Sequence, residues 1–277
     1  MTKKLLILGV ALGLMAIPAL AADSSFDRHF TVNGRLDLAV NNGAGNIHIA
    51  KSQGNQVHIY GRVRSSWGVS EETVRQIAAH PPIEQTGNII RIGKHNSGWK
   101  NVTIDYEIQA PENAILELSN GSGNVADDGV GVNAHIESGS GNIVAKGLAG
   151  GFSVETGSGN IYAEQAGDGL VRAEAGSGNL ELHNLHGGLK AETGSGTIRV
   201  SGTPTSPWKI EAGSGNVEVA TGSSGVTLDL EAGSGAIQVN QGMSSTSSSE
   251  RHHVAGQLHG GGPMVHIETG SGTIKVD

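Results

Sequence analysis

One phrase, Gly-Ser-Gly followed by a polar or small residue and then an aliphatic one, recurs through the second half of this chain. It reads NGSGNV at 120–125, SGSGNI at 138–143, TGSGNI at 156–161, AGSGNL at 175–180, TGSGTI at 193–198, AGSGNV at 212–217, AGSGAI at 232–237 and TGSGTI at 269–274. The leading glycines are Gly121, Gly139, Gly157, Gly176, Gly194, Gly213, Gly233 and Gly270, spaced 18 to 20 residues apart except for a last step of 37, about two repeats. A unit this short cannot bury an apolar face by itself and must stack on copies of itself.

Around each phrase the apolar residues alternate. Val171, Ala173 and Ala175 are separated by Arg172 and Glu174, and Leu180 and Leu182 by Glu181; Leu189, Ala191, Ile198 and Val200 repeat the pattern. Alternation over such short runs means strands with one buried face. Each repeat is therefore strand, Gly-Ser-Gly corner, strand and looser turn. Stacked at about 4.8 Å, each strand pairs in parallel with its counterpart in the next unit. The fold class expected is all-β: a single-stranded parallel β-solenoid, right-handed, with coils of 18–20 residues and one short helix in the N-terminal part. The composition suits a narrow interior with many turns, with 44 glycines in 277 residues and 3% aromatics.

Within that frame each row along the axis has a structural reading. The eight leading glycines are corner positions, and glycines such as Gly157 and Gly159 are expected to adopt positive φ. Asn124, Asn142, Asn160, Asn179 and Asn216 are expected to form a side-chain amide ladder, each amide donating to the next coil. A catalytic serine would be one residue in a distinctive setting, so the serine row is read as hydrogen-bonding local backbone.

The chain divides into three parts. Residues 1–21 read as a signal peptide: Lys3 and Lys4, an apolar stretch at 5–17, then Ala19, Leu20 and Ala21 as the cleavage site, which starts the mature chain at Ala22. Residues 22–115 read as irregular coils and a cap, with an early corner, NGAGNI, at 42–47, a helix at 70–79 capped by Ser70, and strands at 83–92 and 102–110. Residues 116–277 are the regular solenoid, with a Ser/Gly-rich loop inserted at about 243–263. The expected location is extracytoplasmic, in the periplasm, at the cell surface or secreted. Cysteine is absent, so no disulfide contributes.

The signal, the IQAP at 108–111, the Gly-Ser-Gly-Asn corners and the GQLHGGGP at 256–263 together make the chain resemble a family of exported bacterial proteins labelled putative adhesins, a domain of unknown function. The resemblance covers essentially the whole mature chain. It implies a β-solenoid outside the cytoplasm, and it brings no catalytic residues to carry over.

The residues themselves favour binding over catalysis. The charge is −8, or 16 − 26 = −10 without Lys3 and Lys4, which argues against nucleic acid and against adsorption to anionic lipid. Calcium β-rolls repeat every nine residues with aspartate ligands, unlike the Asn, Thr or Ala of this longer repeat. Glycan-cleaving enzymes on β-helices need carboxylates that break the repeat locally, whereas Asp127, Asp128 and Asp168 read as isolated turn acids. His252, His253, His259 and His266 read as solvated histidines in or beside the 243–263 loop. No catalytic, cofactor or metal residue is assigned.

The row Glu137, Glu155, Glu174, Glu192, Glu211, Glu231 and Glu268, each two residues before a leading glycine, reads as a solvated charge ladder that keeps the sheet soluble and, in the alternative, as the candidate ligand- or cation-binding face. Stacked like charges repel by roughly 1 kcal/mol per neighbouring pair in bulk water. Arg172, Lys190 and Lys209 lie two residues earlier on the same face and partly neutralise the row. The function expected is a non-enzymatic envelope or surface protein used for adhesion, binding or assembly. The alternatives are an enzyme acting on envelope glycans and a passive structural spacer. The partner is an unknown envelope protein or glycan. No segment of the mature chain reads as transmembrane. The C-terminal coil, ending in Ile274 and Val276 with no cap after it, is expected to be a bare stack end and a site of self-association.

Overall fold

A computed structural model describes residues 23–93, 99–249 and 251–277. The expected signal peptide lies outside the described residues. The described chain is a β-solenoid, one continuous sheet of 23 strands with a single helix.

Two columns of strands meet at the corners. The first holds the strand before each corner, as in Asn133–Ser140, Phe152–Ser158 and Val171–Ser177, paired in parallel and in register. The second holds the strand after it, as in Val125–Asp128, Ile143–Leu148 and Ile161–Gln165. The alternating pattern sorts side chains as its period of two requires. Val154, Ala173, Ala191 and Ile210 are buried in one column, and Ile143, Ile161, Leu180 and Ile198 in the other. Full burial of each valine, leucine or isoleucine contributes roughly 1.5–3 kcal/mol and of each alanine less, so the stack is held by many small terms.

The corner uses its two glycines differently. The second of each pair takes the unusual backbone: Gly141, Gly159, Gly178 and Gly196 have φ between +143° and +153°. The leading glycines do not, which corrects the expectation for Gly157. They are glycine for lack of room. A Cβ on Gly139, Gly157, Gly176 or Gly194 would stand 2.6 Å from the carbonyl oxygen of the leading glycine one coil away.

The asparagine row is a ladder of a different kind from the one expected. Each side-chain oxygen accepts the backbone N–H of the equivalent residue in the next coil. Asn124 Oδ1 accepts from Asn142, Asn142 from Asn160, Asn160 from Asn179 and Asn179 from Thr197, at 2.8–3.0 Å. At the N-terminal side Asp105 Oδ1 takes the same role toward Asn46. The residue before the leading glycine adds a second rung: Thr156, Thr193 and Thr269 each donate a hydroxyl to a glycine carbonyl in the adjacent coil, at 2.9–3.1 Å.

The order of coils in the stack is not the order of the chain. At the N-terminal side the coil of Asp37–Asn42 and Ile47–Lys51 lies between a coil made by Ile89–Ile92 and Val102–Ala110 and the one made by Ile115–Ser122 and Val125–Asp128. The antiparallel strands Gln56–Ser65 and Asp23–Thr31 close this end, with the helix Glu71–Ala79 packed against both. Ser70 caps the helix as expected, its hydroxyl accepting from the Thr73 N–H at 3.1 Å.

The C-terminal side mirrors this. The strand Met264–Ser271 pairs with residues 208–214 on one side and with Val226–Ser234 on the other. Ile274–Val276 sits likewise between Val217–Ala220 and Ile237–Val239. The expected bare terminal coil is therefore an interior one, with Ile274 and Val276 at 0% exposure. The reason is geometric: the chain skips one coil width after Ala220, and its last segment returns to fill the gap. The expected loop at 243–263 contains two antiparallel strands, Ser245–Ser249 and His253–Leu258, laid against Val226–Ser234 to finish the stack.

Candidate binding face

All seven glutamates of the predicted row fall in one line. The register is Glu137, Glu155, Glu174, Glu192, Glu211, Glu268, Glu231, so Glu268 stands between the other two. Parallel in-register strands put residues of equal rank side by side, and the repeat places a glutamate at that rank in seven successive coils. Ser119 occupies the equivalent place one coil before Glu137.

The second row, two residues earlier, is His135, Ser153, Arg172, Lys190, Lys209, His266 and Asp229. It answers the first. Lys190 Nζ lies 2.5 Å from Glu174 and 3.5 Å from Glu192, and Lys209 lies 2.8 Å from Glu211. The hydrogen bond and charge of Glu174 raise the Lys190 pKa above its ordinary value. His135 and Ser153 bond to Glu137 and Glu155 at 2.7 and 3.2 Å. Beside these carboxylates the glycine corners carry little side-chain bulk, leaving an open groove of about 730 Å³. It runs across Glu137, Glu155, Glu174 and Glu192 with the corner glycines as its floor.

At the end of the row the pattern changes sign. Asp229 stands where the other coils of the row have a basic or neutral residue, and two imidazoles reach it. His253 Nε2 is 3.0 Å from one carboxylate oxygen and His266 Nδ1 is 2.9 Å from the other. These hydrogen bonds, that of His253 foremost, hold the Asp229 pKa below the ordinary aspartate value. Both histidines stand on strands, not in a solvated loop: His253 opens His253–Leu258 and His266 belongs to Met264–Ser271. A second groove of about 530 Å³ lies here, lined by Glu231, Arg251, His252, His253 and Glu268.

A family model described as Toastrack DUF4097 matches residues 37–277. The chain belongs to this family. The chain is also similar to the crystal structure of a putative cell adhesion protein from Clostridium sporogenes, at 15% identity, 92% coverage of this chain and 98% of that one, with a TM-score of 0.27. A putative adhesin from Bacteroides fragilis matches at 14% identity, 92% and 97% coverage and a TM-score of 0.37. Another from Parabacteroides merdae matches at 12% identity, 92% and 96% coverage and a TM-score of 0.26. No curated protein matches the chain.

In this Toastrack chain Asp127 differs from its sequence reading, and the three tryptophans take separate places. Asp127 is not a surface turn acid. It is fully buried in the column that holds Ala145 and Ile49, and burial pushes its pKa up to about 7. One of its oxygens accepts the Val130 N–H at 3.0 Å. Trp208 is a core residue whose Nε1–H donates to the Gly187 carbonyl at 2.9 Å. Trp99 is half-buried against the core, so of the three tryptophans only Trp67, 89% exposed, presents a ring to solvent, and they make no aromatic strip. No helix among the described residues is long and apolar enough to cross a membrane.

Proposed function

We propose that this protein is a non-enzymatic, exported surface or envelope protein that binds an elongated partner along its glutamate row. The carrying observation is the groove of about 730 Å³, which crosses five coils and presents a glutamate beside a glycine floor in four of them in succession. A repeated carboxylate above a glycine floor suits a chain that repeats as well. With lysines already pairing part of the row, the partner is a cationic segment or hydroxyl-bearing chain that replaces those lysines as hydrogen-bond donors.

Catalysis is the less fitting reading of the same residues. Glycan hydrolysis divides acid and base roles between two carboxyl groups in unlike surroundings. The row instead sets the glutamates side by side at one strand position along an open groove, with none facing another across a cleft where a substrate would lie. The reading of residues 1–21 as an export signal fits an extracytoplasmic site of action.

Calorimetric titration with an extended lysine-rich peptide tests the reading. Saturable binding is expected, with at least a tenfold loss in a Glu155→Gln/Glu174→Gln/Glu192→Gln variant. Equal affinity of the variant would move the binding surface elsewhere on the molecule.

A further inference from the structure

Within the coils of the glutamate row, the outer face breaks its own rule at one place. Through five coils the rank two before the row glutamate is filled by His135, Ser153, Arg172, Lys190 and Lys209, none of them acidic. At the far end it is filled by Asp229, so the strand Val226–Ser234 carries two carboxylates, Asp229 and Glu231, on one face. The strands on either side supply an imidazole each. His266 is in register with Asp229, and His253 is directly opposite Glu231. One oxygen each of Asp229 and Glu231 and one ring nitrogen of His253 lie within 4.8 Å of one another.

We propose that Asp229, Glu231 and His253 bind a divalent transition-metal ion of the zinc class, with His266 as a positioning residue on the second Asp229 oxygen. The donor set selects the class of ion. Imidazole nitrogen with carboxylate oxygens suits zinc, whereas calcium takes six to eight oxygen ligands and magnesium an octahedron of oxygens. Ligand atoms about 2.0–2.2 Å from zinc stand a little over 3 Å apart in a tetrahedron. The observed spacing therefore asks for small side-chain rotations only, while paired strands hold the three backbones. His253 exchanges its hydrogen bond to Asp229 for the ion. His266 keeps its bond and fixes the carboxylate, as outer hydrogen-bond partners of metal ligands do.

Charge points the same way. Glu268 is in register with Glu231, which makes three carboxylates on adjacent strands, with Arg251 the cation lining the groove beside them. Three protein ligands leave a coordination position toward that groove, open to water or to a donor from a partner. The other histidine cluster, Asp27 with His29 and His58, is built differently. Both imidazoles address the same carboxylate oxygen, at 3.2 and 2.8 Å, and their rings stack face to face at 4.3 Å. It serves as the control.

The experiment is a titration of chelator-stripped full chain with Zn²⁺ in the presence of excess Mg²⁺ and Ca²⁺. Saturable binding is expected, at least tenfold weaker in both His253→Ala and Glu231→Gln, weakened in His266→Ala, and unchanged in His58→Ala. Metal-free melting curves that superimpose with wild type show that each variant is folded, and Glu231→Gln stands in if His253→Ala is not. Absence of saturable binding, unchanged affinity in both ligand variants, or a loss confined to His58→Ala would each overturn the assignment.

Discussion

Asp127 shows how one side chain can set a pH dependence for a whole stack. Its column holds Ala145 on one side and Ile49 on the other, so its carboxyl is buried in line with apolar side chains. Desolvation penalises the charged form, and the lone Val130 N–H offsets only part of that. The unfolded chain releases this proton near 3.8, the folded chain near 7. Between those values the native state binds the extra proton. Its contribution is therefore complete below about pH 4 and lost as pH rises through 7. A displacement of about three pKa units corresponds to about 4 kcal/mol. Asp127→Asn keeps the acceptor for Val130 and removes the titration. Denaturant melts are expected to show the variant gaining a few kcal/mol over wild type at pH 8 and little at pH 4. A gain equal at both pH values would mean that Asp127 is not the titrating group.

At the scale of the element, the Gly-Ser-Gly corner is a contact between coils more than a bend within one. Gly176 has an ordinary backbone, which alanine would accept without strain, yet a Cβ there would meet the Gly157 carbonyl oxygen at 2.6 Å. Because that oxygen belongs to the backbone of a paired strand, it cannot swing aside. Gly176→Ala is thus expected to lower stability by about 1–3 kcal/mol, as overpacking of a close-fitted site does. A thermal melt of the variant indistinguishable from wild type would return the leading glycines to a purely conformational role. Much of the corner is legible in the sequence. The recurrence of Gly-Ser-Gly and the flanking period of two locate the strand segments on either side of each corner and place the glutamates on one face. Leu180–Ser195 and Ile198–Ser214, however, run on as strand through the looser turns expected there. What the repeat does not reveal is why each glycine is there, because the distance from Gly176 to Gly157 depends on how tightly coils approach. The same holds for the asparagine ladder: its members are readable, but whether an amide donates or its oxygen accepts is decided by the offset between coils.

For the whole molecule, the stacking order decides which residues meet, and it is the least legible feature. A step of 37 between Gly233 and Gly270 is its one trace, and that step is equally consistent with a long insertion at the end of the stack. Alternation assigns Asp229, Glu231 and Glu268 to the outer face but cannot say that Glu268 stands between Glu211 and Glu231. Nor can it place His253 on an antiparallel strand beside them. The order also gives the chain's last segment a central mechanical role. Residues 264–276 pair on both sides, and Asp277 adds a backbone bond to Val219 at 2.9 Å and a side-chain bond to Asn240. Were they the end of the stack, deleting residues 264–277 would remove one interface and expose one coil. As an interior coil, they hold the strands Val226–Ser234 and Ile237–Val239 to everything before them. In a solenoid, stability is close to a sum of nearest-neighbour interfaces, so a missing interior coil disconnects what lies beyond it. Truncation after Pro263 is therefore expected to abolish amide-exchange protection across 226–258 while leaving 133–195 protected. Val276→Lys, which buries a charge at a position with 0% exposure, is expected to act in the same direction. Protection of 226–258 that survives the truncation would show that the penultimate coil docks directly on residues 208–214, and that the final coil belongs at the end of the stack.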